Sequence, residues 1–182
     1  MKTLKKYINE WQLTDKSAKH IDKKEVVIYK EFPQSIEELQ RIIIDRLKKN
    51  NECPYLLDIN TSKITDMYRL FSDLEYSRNH IDRTLIKKID IHTWDTSNVT
   101  NMDGMFSRLH GLESIDMTNL SINSLKSTLS MFYNCSSLNE IKGMEEWKND
   151  ERISQIRFGS DLFYNVKDSA IPSWVEKYCK PI

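Results

Sequence analysis

The apolar residues of this chain recur in blocks from residue 54 onward. Residues 59–71 read INTSKITDMYRLF and residues 94–106 read WDTSNVTNMDGMF, so Thr-Ser, an aliphatic residue, Thr, Met and a final Phe share matching offsets. A weaker copy occupies residues 120–132, and a fourth is reduced to Leu162 and Phe163. Self-similarity with a period of roughly 26 residues, plus insertions, is typical of chains that stack one structural unit on the next.

A second element of the form L-x-x-L-x-L lies between these blocks. It occupies residues 86–91 and 112–117, more loosely 138–144, and residues 54–59 fit it at the front. Alternation with period two predicts short strands with one buried face. Because one unit cannot bury its apolar side alone, we expect a parallel sheet backed by short Ser/Thr-capped helices that carry Met and Phe into the core.

The first part of the chain has a different pattern. Apolar positions in residues 4–11 predict a short amphipathic helix, and residues 25–32 (EVVIYKEF) predict a strand. Ser35 and Glu38 have the spacing of a capping box, in which each side chain satisfies a free amide at a helix start. A helix over residues 36–49 follows, and the two asparagines after it are expected to end it.

These patterns divide the chain in two. Residues 1–53 are predicted to form a helix-strand-helix N-terminal cap, and residues 54–182 to form the stacked repeats with a C-terminal capping segment. Residues 145–160 fit either a strand or a helix, since their apolar spacing matches the strand pattern where a helix is due. Residues 170–174 (AIPSW) predict a last edge element, a position where proline is tolerated.

The motif WDTSNVTNMDGMF followed by LESIDM resembles the BspA-like leucine-rich-repeat family, whose units read W-D-[VT]-S-x-V-x-x-M-x-x-M-F. The resemblance covers about residues 55–175. It implies a right-handed solenoid and a protein-binding role. The expected fold class is therefore α/β: a short leucine-rich-repeat-type solenoid of parallel strands backed by short helices, with an α/β N-terminal cap.

Composition narrows the classes of partner. The 182 residues include 27 Lys and Arg against 27 Asp and Glu, and a net charge of zero argues against a dedicated phosphate-backbone binder. The three cysteines lack metal-ligand spacing, which favours reduced thiols in a cytoplasmic protein. Neither a secretory signal nor a membrane-spanning segment is expected from the hydropathy pattern.

Catalytic chemistry finds little support in the sequence. Four glycines cannot build a phosphate-binding loop, and no nucleophile motif is present, so we expect no cofactor and lean towards a protein that is not an enzyme. His92 and His110 are a weak alternative, as an acid–base pair that cleaves RNA. A metal site built from Asp90, Asp116 and Glu140 is disfavoured, because lysines interleave with these carboxylates.

The preferred site is the outward face of the predicted sheet, where side chains of neighbouring strands form a rigid array. The partner-binding residues expected there are Lys88, Asp90, Ser114, Asp116, Glu140, Lys142 and, if its segment is a strand, Arg157. A second, unfavoured surface would contact nucleic acid through the N-terminal lysines Lys16, Lys19, Lys23 and Lys24.

The function expected from these features is a non-catalytic protein-interaction scaffold, with a protein or ribonucleoprotein partner and no membrane. Short, unexported members of the family that the repeats resemble are similar to proteins carried by phages and mobile elements. That implies an inhibitor of a bacterial defence nucleoprotein, anti-CRISPR-like in its action. The alternatives are a small ribonuclease acting on guide or other RNA and, since larger members resemble adhesins, a surface repeat protein. Partner identity and oligomeric state stay open.

Overall fold

The computed structural model of the protein describes residues 27–74 and 81–179. In these ranges the chain forms a mixed α/β fold with a three-stranded parallel sheet and few helices. Of the helices there, none combines the length and hydropathy that a membrane span requires. The elements are helix α1 (Ile36–Lys49), strands β1 (Lys88–Asp90), β2 (Ser114–Asp116) and β3 (Glu140–Lys142), helix α2 (Met144–Trp147), and 3₁₀ helices at Arg83–Leu85, Glu151–Gln155, Asp168–Ala170 and Val175–Lys177.

Helix α1 confirms the bounds predicted from its capping residues. The Ser35 hydroxyl accepts a hydrogen bond from the Glu38 amide at 3.3 Å, and the Glu38 carboxylate accepts one from the Gln34 amide at 2.8 Å. These bonds satisfy amides that have no partner within the helix. Asn50 ends the helix, as expected. One face of α1 joins the same apolar core as the repeats through Leu39, Ile43, Ile44 and Leu47.

An ion pair also ties α1 to the start of the repeats. Arg46 Nη2 lies 3.2 Å from each carboxylate oxygen of Asp58 and 3.4 Å from Glu31 Oε1. Only 2% of the Asp58 side chain is exposed. A buried carboxylate is tolerated when it is paired and hydrogen-bonded, and Arg46, together with Lys30 Nζ at 3.8 Å, provides those partners. The division into residues 1–53 and 54–182 stays a prediction.

The strand predicted over residues 25–32 is wrong in its described part. Residues 27–32 make a single parallel bridge, between Glu31 and Ile59, and residues 25 and 26 lie outside the described ranges, as does the helix predicted in residues 4–11. The Asp58 carbonyl accepts hydrogen bonds from both the Lys30 and Glu31 amides, at 2.8 and 3.2 Å. Residues 54–59, predicted as the first strand, likewise keep only this bridge.

The sheet confirms three of the predicted strands and the alternation of their inward and outward residues. Strands β1, β2 and β3 run parallel in that order, and the central pairs are Ile89 with Ile115 and Ile115 with Ile141. Ile89 and Ile115 are buried and Ile141 is half-buried, which places the apolar face of each strand against the core. The alternating pattern predicted this because a shift of one residue would expose every isoleucine.

The short helices expected behind the sheet are absent from the first three repeats, where the described chain forms turns instead. Arg69, Gly104 and Ser130 each lie two residues before the final Phe of a repeat and have φ of 52°, 62° and 54°. A residue in the left-handed region interrupts a right-handed helix, so this part of the fold prediction is wrong.

The turns form hydrogen bonds to the neighbouring repeat as well as within themselves. The Phe106 amide donates to the Met131 carbonyl at 3.0 Å, and the Phe132 amide donates to the Leu162 carbonyl at 3.1 Å. A second line of single parallel bridges runs beside these contacts, through Asp66, Asn101, Ser127 and Arg157. The repeats are therefore joined by backbone hydrogen bonds on two sides, at the sheet and at the turns.

The polar residues of the WDTSNVTNM motif connect repeats. Trp94 Nε1 donates to the Leu56 carbonyl at 3.0 Å, in the preceding unit. The buried Thr96 hydroxyl donates to the Ser121 carbonyl of the following unit at 2.8 Å. Because a buried polar group needs a hydrogen-bond partner, each of these side chains fixes one repeat against another. The motif is therefore explained by the fold without a ligand.

The final Phe of each repeat lies in a continuous aromatic column. Ring centroids are 5.3 Å apart between Phe71 and Phe106, 5.5 Å between Phe106 and Phe132, and 5.4 Å between Phe132 and Phe163. The rings are close to parallel, with interplanar angles from 6° to 25°. Trp94 stacks on Phe71 at 6.2 Å and extends the column.

The C-terminal segments are mostly helical turns. Residues 145–160, open between strand and helix, contain most of α2 and the 3₁₀ helix Glu151–Gln155, and only Arg157 makes a bridge. The edge element predicted for residues 170–174 is not a strand. The Ala170 and Ile171 amides donate back to residues 167 and 168, at 2.9 and 3.1 Å, and so close a 3₁₀ turn that packs beside β3.

We expect Phe106→Ala to lower the free energy of unfolding by about 3–5 kcal/mol, because it opens a cavity between two stacked neighbours. Phe106→Leu should lower the free energy of unfolding by clearly less, since leucine keeps most of the buried volume. Urea unfolding monitored by circular dichroism measures both. The control is Tyr164→Ala, which removes a ring that is 59% exposed. A loss for Phe106→Ala no larger than for Tyr164→Ala would contradict the role of the column.

Candidate functional site

The outward face of the sheet carries six of the predicted binding residues in two columns. One column runs Lys88, Ser114, Glu140 and the other runs Asp90, Asp116, Lys142, each across β1, β2 and β3. Three of these side chains are exposed, namely Lys88, Glu140 and Lys142. Asp90, Ser114 and Asp116 are half-buried. Paired parallel strands lie about 4.8 Å apart, so neighbouring charges in a column are held at a fixed short spacing.

A histidine folds back onto the second column. His92 Nδ1 lies 2.7 Å from Asp90 Oδ1, and the same oxygen accepts the His92 backbone N–H at 3.3 Å. One ring nitrogen of His92 and one carboxylate oxygen each of Asp90 and Asp116 all lie within 4.8 Å of one another. The Trp94 amide closes the turn that brings His92 there, by donating to the Ile91 carbonyl at 2.9 Å.

The electrostatics of this cluster favour the ionised form of Asp116. Partial burial by itself raises the pKa of Asp116, but hydrogen bonds from Thr118 and the nearby positive charges of His92 and Lys142 hold the pKa below its usual range. The Thr118 amide donates to Asp116 Oδ1 at 3.1 Å. Lys142 also pairs with Glu140, at 3.8 Å between Nζ and Oε2. The face therefore mixes both signs of charge at fixed positions.

One sequence-predicted binding residue lies away from this face, and four others lie outside the described residues. Arg157 pairs with Ser127 on the second line of bridges, so its predicted place on the sheet is wrong. The reason is that the Asp150 carboxylate caps a 3₁₀ helix by accepting the Arg152 amide at 2.9 Å, and the segment does not continue the sheet. The four lysines considered for nucleic-acid contact, Lys16, Lys19, Lys23 and Lys24, lie outside the described residues.

The two histidines of the ribonuclease alternative occupy opposite ends of the sheet. His92 follows β1, whereas His110 lies in the turn that precedes β2. Gly111, next to His110, lies so close to the Thr84 backbone, ahead of β1, that a Cβ there would be 1.8 Å from the Thr84 carbonyl oxygen. The fold therefore does not bring His92 and His110 together.

Sequence reasoning missed the contact of His92 with Asp90 and Asp116. The available signal is an Asp at the end of a strand with a His two residues later, in residues 90–92. The same offset joins Asp116 to Thr118, where the side chain also accepts the amide two residues on. Such a turn returns the second residue to the carboxylate, so the spacing itself predicts the contact of His92 with Asp90.

The described residues include three cysteines, all free thiols, and two of them are poor nucleophiles. Burial raises the pKa of Cys135 to about 12, and its Sγ donates to the Phe106 carbonyl at 3.0 Å. Burial and the nearby Asp161 raise the pKa of Cys179 to about 11. Because the thiolate is the reactive form, these two residues are poor candidates for covalent catalysis.

Comparison with known proteins gives one family. The family described as "Mycoplasma protein of unknown function, DUF285" matches residues 47–174, which are 128 of the 182 residues. The match begins in the last turn of α1 and spans the sheet, the aromatic column and both columns of the outward face. No curated protein and no solved structure matched the chain.

Asp116→Asn should lower the free energy of unfolding at neutral pH and leave it nearly unchanged in acid. The folded state holds the pKa of Asp116 below its unfolded value, so its contribution is complete above the unfolded pKa of about 3.9 and is lost as the pH falls through the folded pKa. Urea unfolding at about pH 7 and at about pH 2, well below the unfolded pKa, measures this difference. Asp168→Asn, on an exposed residue, controls for the loss of one surface charge. A difference from wild type that persists in acid would contradict the prediction.

Proposed function

This chain belongs to the DUF285 family, and we propose that it is a non-catalytic protein-interaction scaffold that binds its partner through the outward face of the sheet. The observation that carries the proposal is the pair of charged columns across β1, β2 and β3. Charges fixed by a paired backbone lose little freedom when a partner binds. They also select partners by complementary charge.

We further propose that the repeats form a short solenoid of the BspA-like leucine-rich-repeat type. Backbone hydrogen bonds between repeats on two sides and an aromatic column through the core support this architecture. In a solenoid each unit contacts only its neighbours and the outer strand positions form an extended surface. The proposed binding face is the part of that surface on β1, β2 and β3.

The narrower role is inhibition of a bacterial defence nucleoprotein such as a CRISPR effector nuclease, in the cytoplasm. It rests on the resemblance of the repeats to short, unexported proteins of mobile elements. A mixed-charge face suits contact with a protein surface or with a protein–RNA boundary. Loss of target cleavage by a purified effector in the presence of this protein would support that role.

The first test is capture of partners from bacterial lysate treated with nuclease, with identification by mass spectrometry. Binding of a captured partner should weaken at least tenfold for the double variant Lys88→Glu/Lys142→Glu, because both reversals lie on the face and repel the same partner groups. Surface plasmon resonance with the purified partner measures the change.

The matched control is Lys63→Glu/Lys148→Glu, which makes the same change in net charge at exposed positions outside the strands. An equal loss in both double variants would contradict a site on the sheet face. Recovery of nucleic acid alone, or of shortened RNA, would favour the ribonuclease alternative. His92→Ala and His110→Ala would then be tested for loss of cleavage.

A further inference from the structure

We propose that Asp90, His92 and Asp116 form a binding site for a divalent transition-metal ion of the zinc class. The three residues offer one imidazole nitrogen and two carboxylate oxygens that already lie within 4.8 Å of one another. The inference does not depend on the protein partner, because it concerns an ion held by this chain alone.

The spacing of the ligand atoms is close to what such an ion requires. Bonds of about 2.1 Å in a tetrahedral site place ligand atoms about 3.4 Å apart. His92 Nδ1 and Asp90 Oδ1 are 2.7 Å apart in their hydrogen bond. Asp116 lies beside Asp90 in the adjacent strand, with its Cα paired to that of Asp90. All three ligand atoms therefore start within 4.8 Å of one another, near the spacing that the ion requires.

The backbone orients the carboxylates for this role. Asp90 Oδ1 accepts the His92 N–H at 3.3 Å, and Asp116 Oδ1 accepts the Thr118 N–H at 3.1 Å. Hydrogen bonds to ligating groups fix their direction. A mixed set of imidazole and carboxylate suits zinc and its neighbours better than magnesium or calcium, which prefer oxygen alone.

The proposed site is open on one side. Three protein ligands leave one tetrahedral position for water or for a ligand from another molecule. The three side chains are half-buried on the outward face, so that position faces the solvent. Neutral imidazole is the form that binds metal, and the ion therefore competes with a proton on His92.

Lys142 opposes the ion and sets its affinity. Its positive charge acts on Asp116 and helps to lower the pKa of that carboxyl. The same charge repels a cation bound to the carboxylate, while Glu140, paired with Lys142 at 3.8 Å, offsets part of the repulsion. Removal of the Lys142 charge should therefore strengthen metal binding. A cluster with a purely structural role would show no such gain, so this variant distinguishes the two.

The site departs from the sequence-based expectation in one residue. Asp90, Asp116 and Glu140 are the carboxylates that the strand pattern brings to neighbouring strands, and interleaved lysines argue against a metal there. The structure places Glu140 in the other column, beside Ser114, and supplies His92 in its place. With His92 in place of Glu140, the three candidate ligands include a nitrogen atom rather than carboxylate oxygens alone.

The test is isothermal titration calorimetry of the full chain with zinc chloride at neutral pH. Wild type should bind one ion with a Kd in the micromolar range. His92→Gln should weaken binding at least tenfold, because it removes one of three ligands. Lys142→Gln should tighten binding roughly threefold, because it removes a repelling charge. His110→Gln, at the other end of the sheet, should bind as wild type does.

Thermal unfolding with and without zinc checks that the variants fold and provides a second readout. Zinc should raise the midpoint of wild type and of His110→Gln but not that of His92→Gln. If His92→Gln fails to fold, Asp116→Asn takes its place with the same expected loss. Absence of zinc binding, equal binding by His92→Gln and wild type, or weaker binding by Lys142→Gln would overturn the proposal.

Discussion

The stacking of one phenylalanine per repeat is the contact on which the rest of the structure depends. Phe71, Phe106, Phe132 and Phe163 lie ring to ring at 5.3 to 5.5 Å, close to the roughly 4.8 Å between paired strands. One ring per repeat therefore fits one strand per repeat. Backbone hydrogen bonds on both sides then hold each repeat in register. The columns of charge on the outward face follow from that register, since each strand places its alternate residues outward.

The sequence predicts the sheet and α1 well because local rules dominate there. Alternation with period two fixes which strand residues face the core, and the pair Ser35 and Glu38 marks a helix start by satisfying free amides. The turns behind the sheet are different. They depend on left-handed backbone at Arg69 and Ser130, residue types that rarely adopt it, and only Gly104 gives a sequence signal. The spacing of Met and Phe that predicts a helix also fits these turns, which place the same side chains in the core.

The candidate site is likewise predictable from the sequence only in part. Strand alternation predicts the six outward residues on β1, β2 and β3, whereas the place of Arg157 depends on a 3₁₀ helix that has the apolar spacing of a strand. His92 reaches Asp90 and Asp116 because of a turn after β1, and its pairing with residues of two strands is a product of tertiary structure. Both proposals concern this face of the sheet. The charged columns offer a surface for a partner, and His92 adds a nitrogen ligand to the carboxylates of Asp90 and Asp116. A metal there would place an open coordination position on the proposed binding face.

The nuclear Overhauser spectrum of the isotopically labelled chain tests the stacked register most directly. Ile115 should show cross-strand contacts to Ile89 on one side and to Ile141 on the other. The ring protons of Phe106 should show contacts to Phe71 and Phe132. Contacts that pair Ile115 with residues one or more positions away, or Phe106 rings without these neighbours, would contradict the register. The charged columns and the Asp90, His92 and Asp116 cluster would then lose their basis.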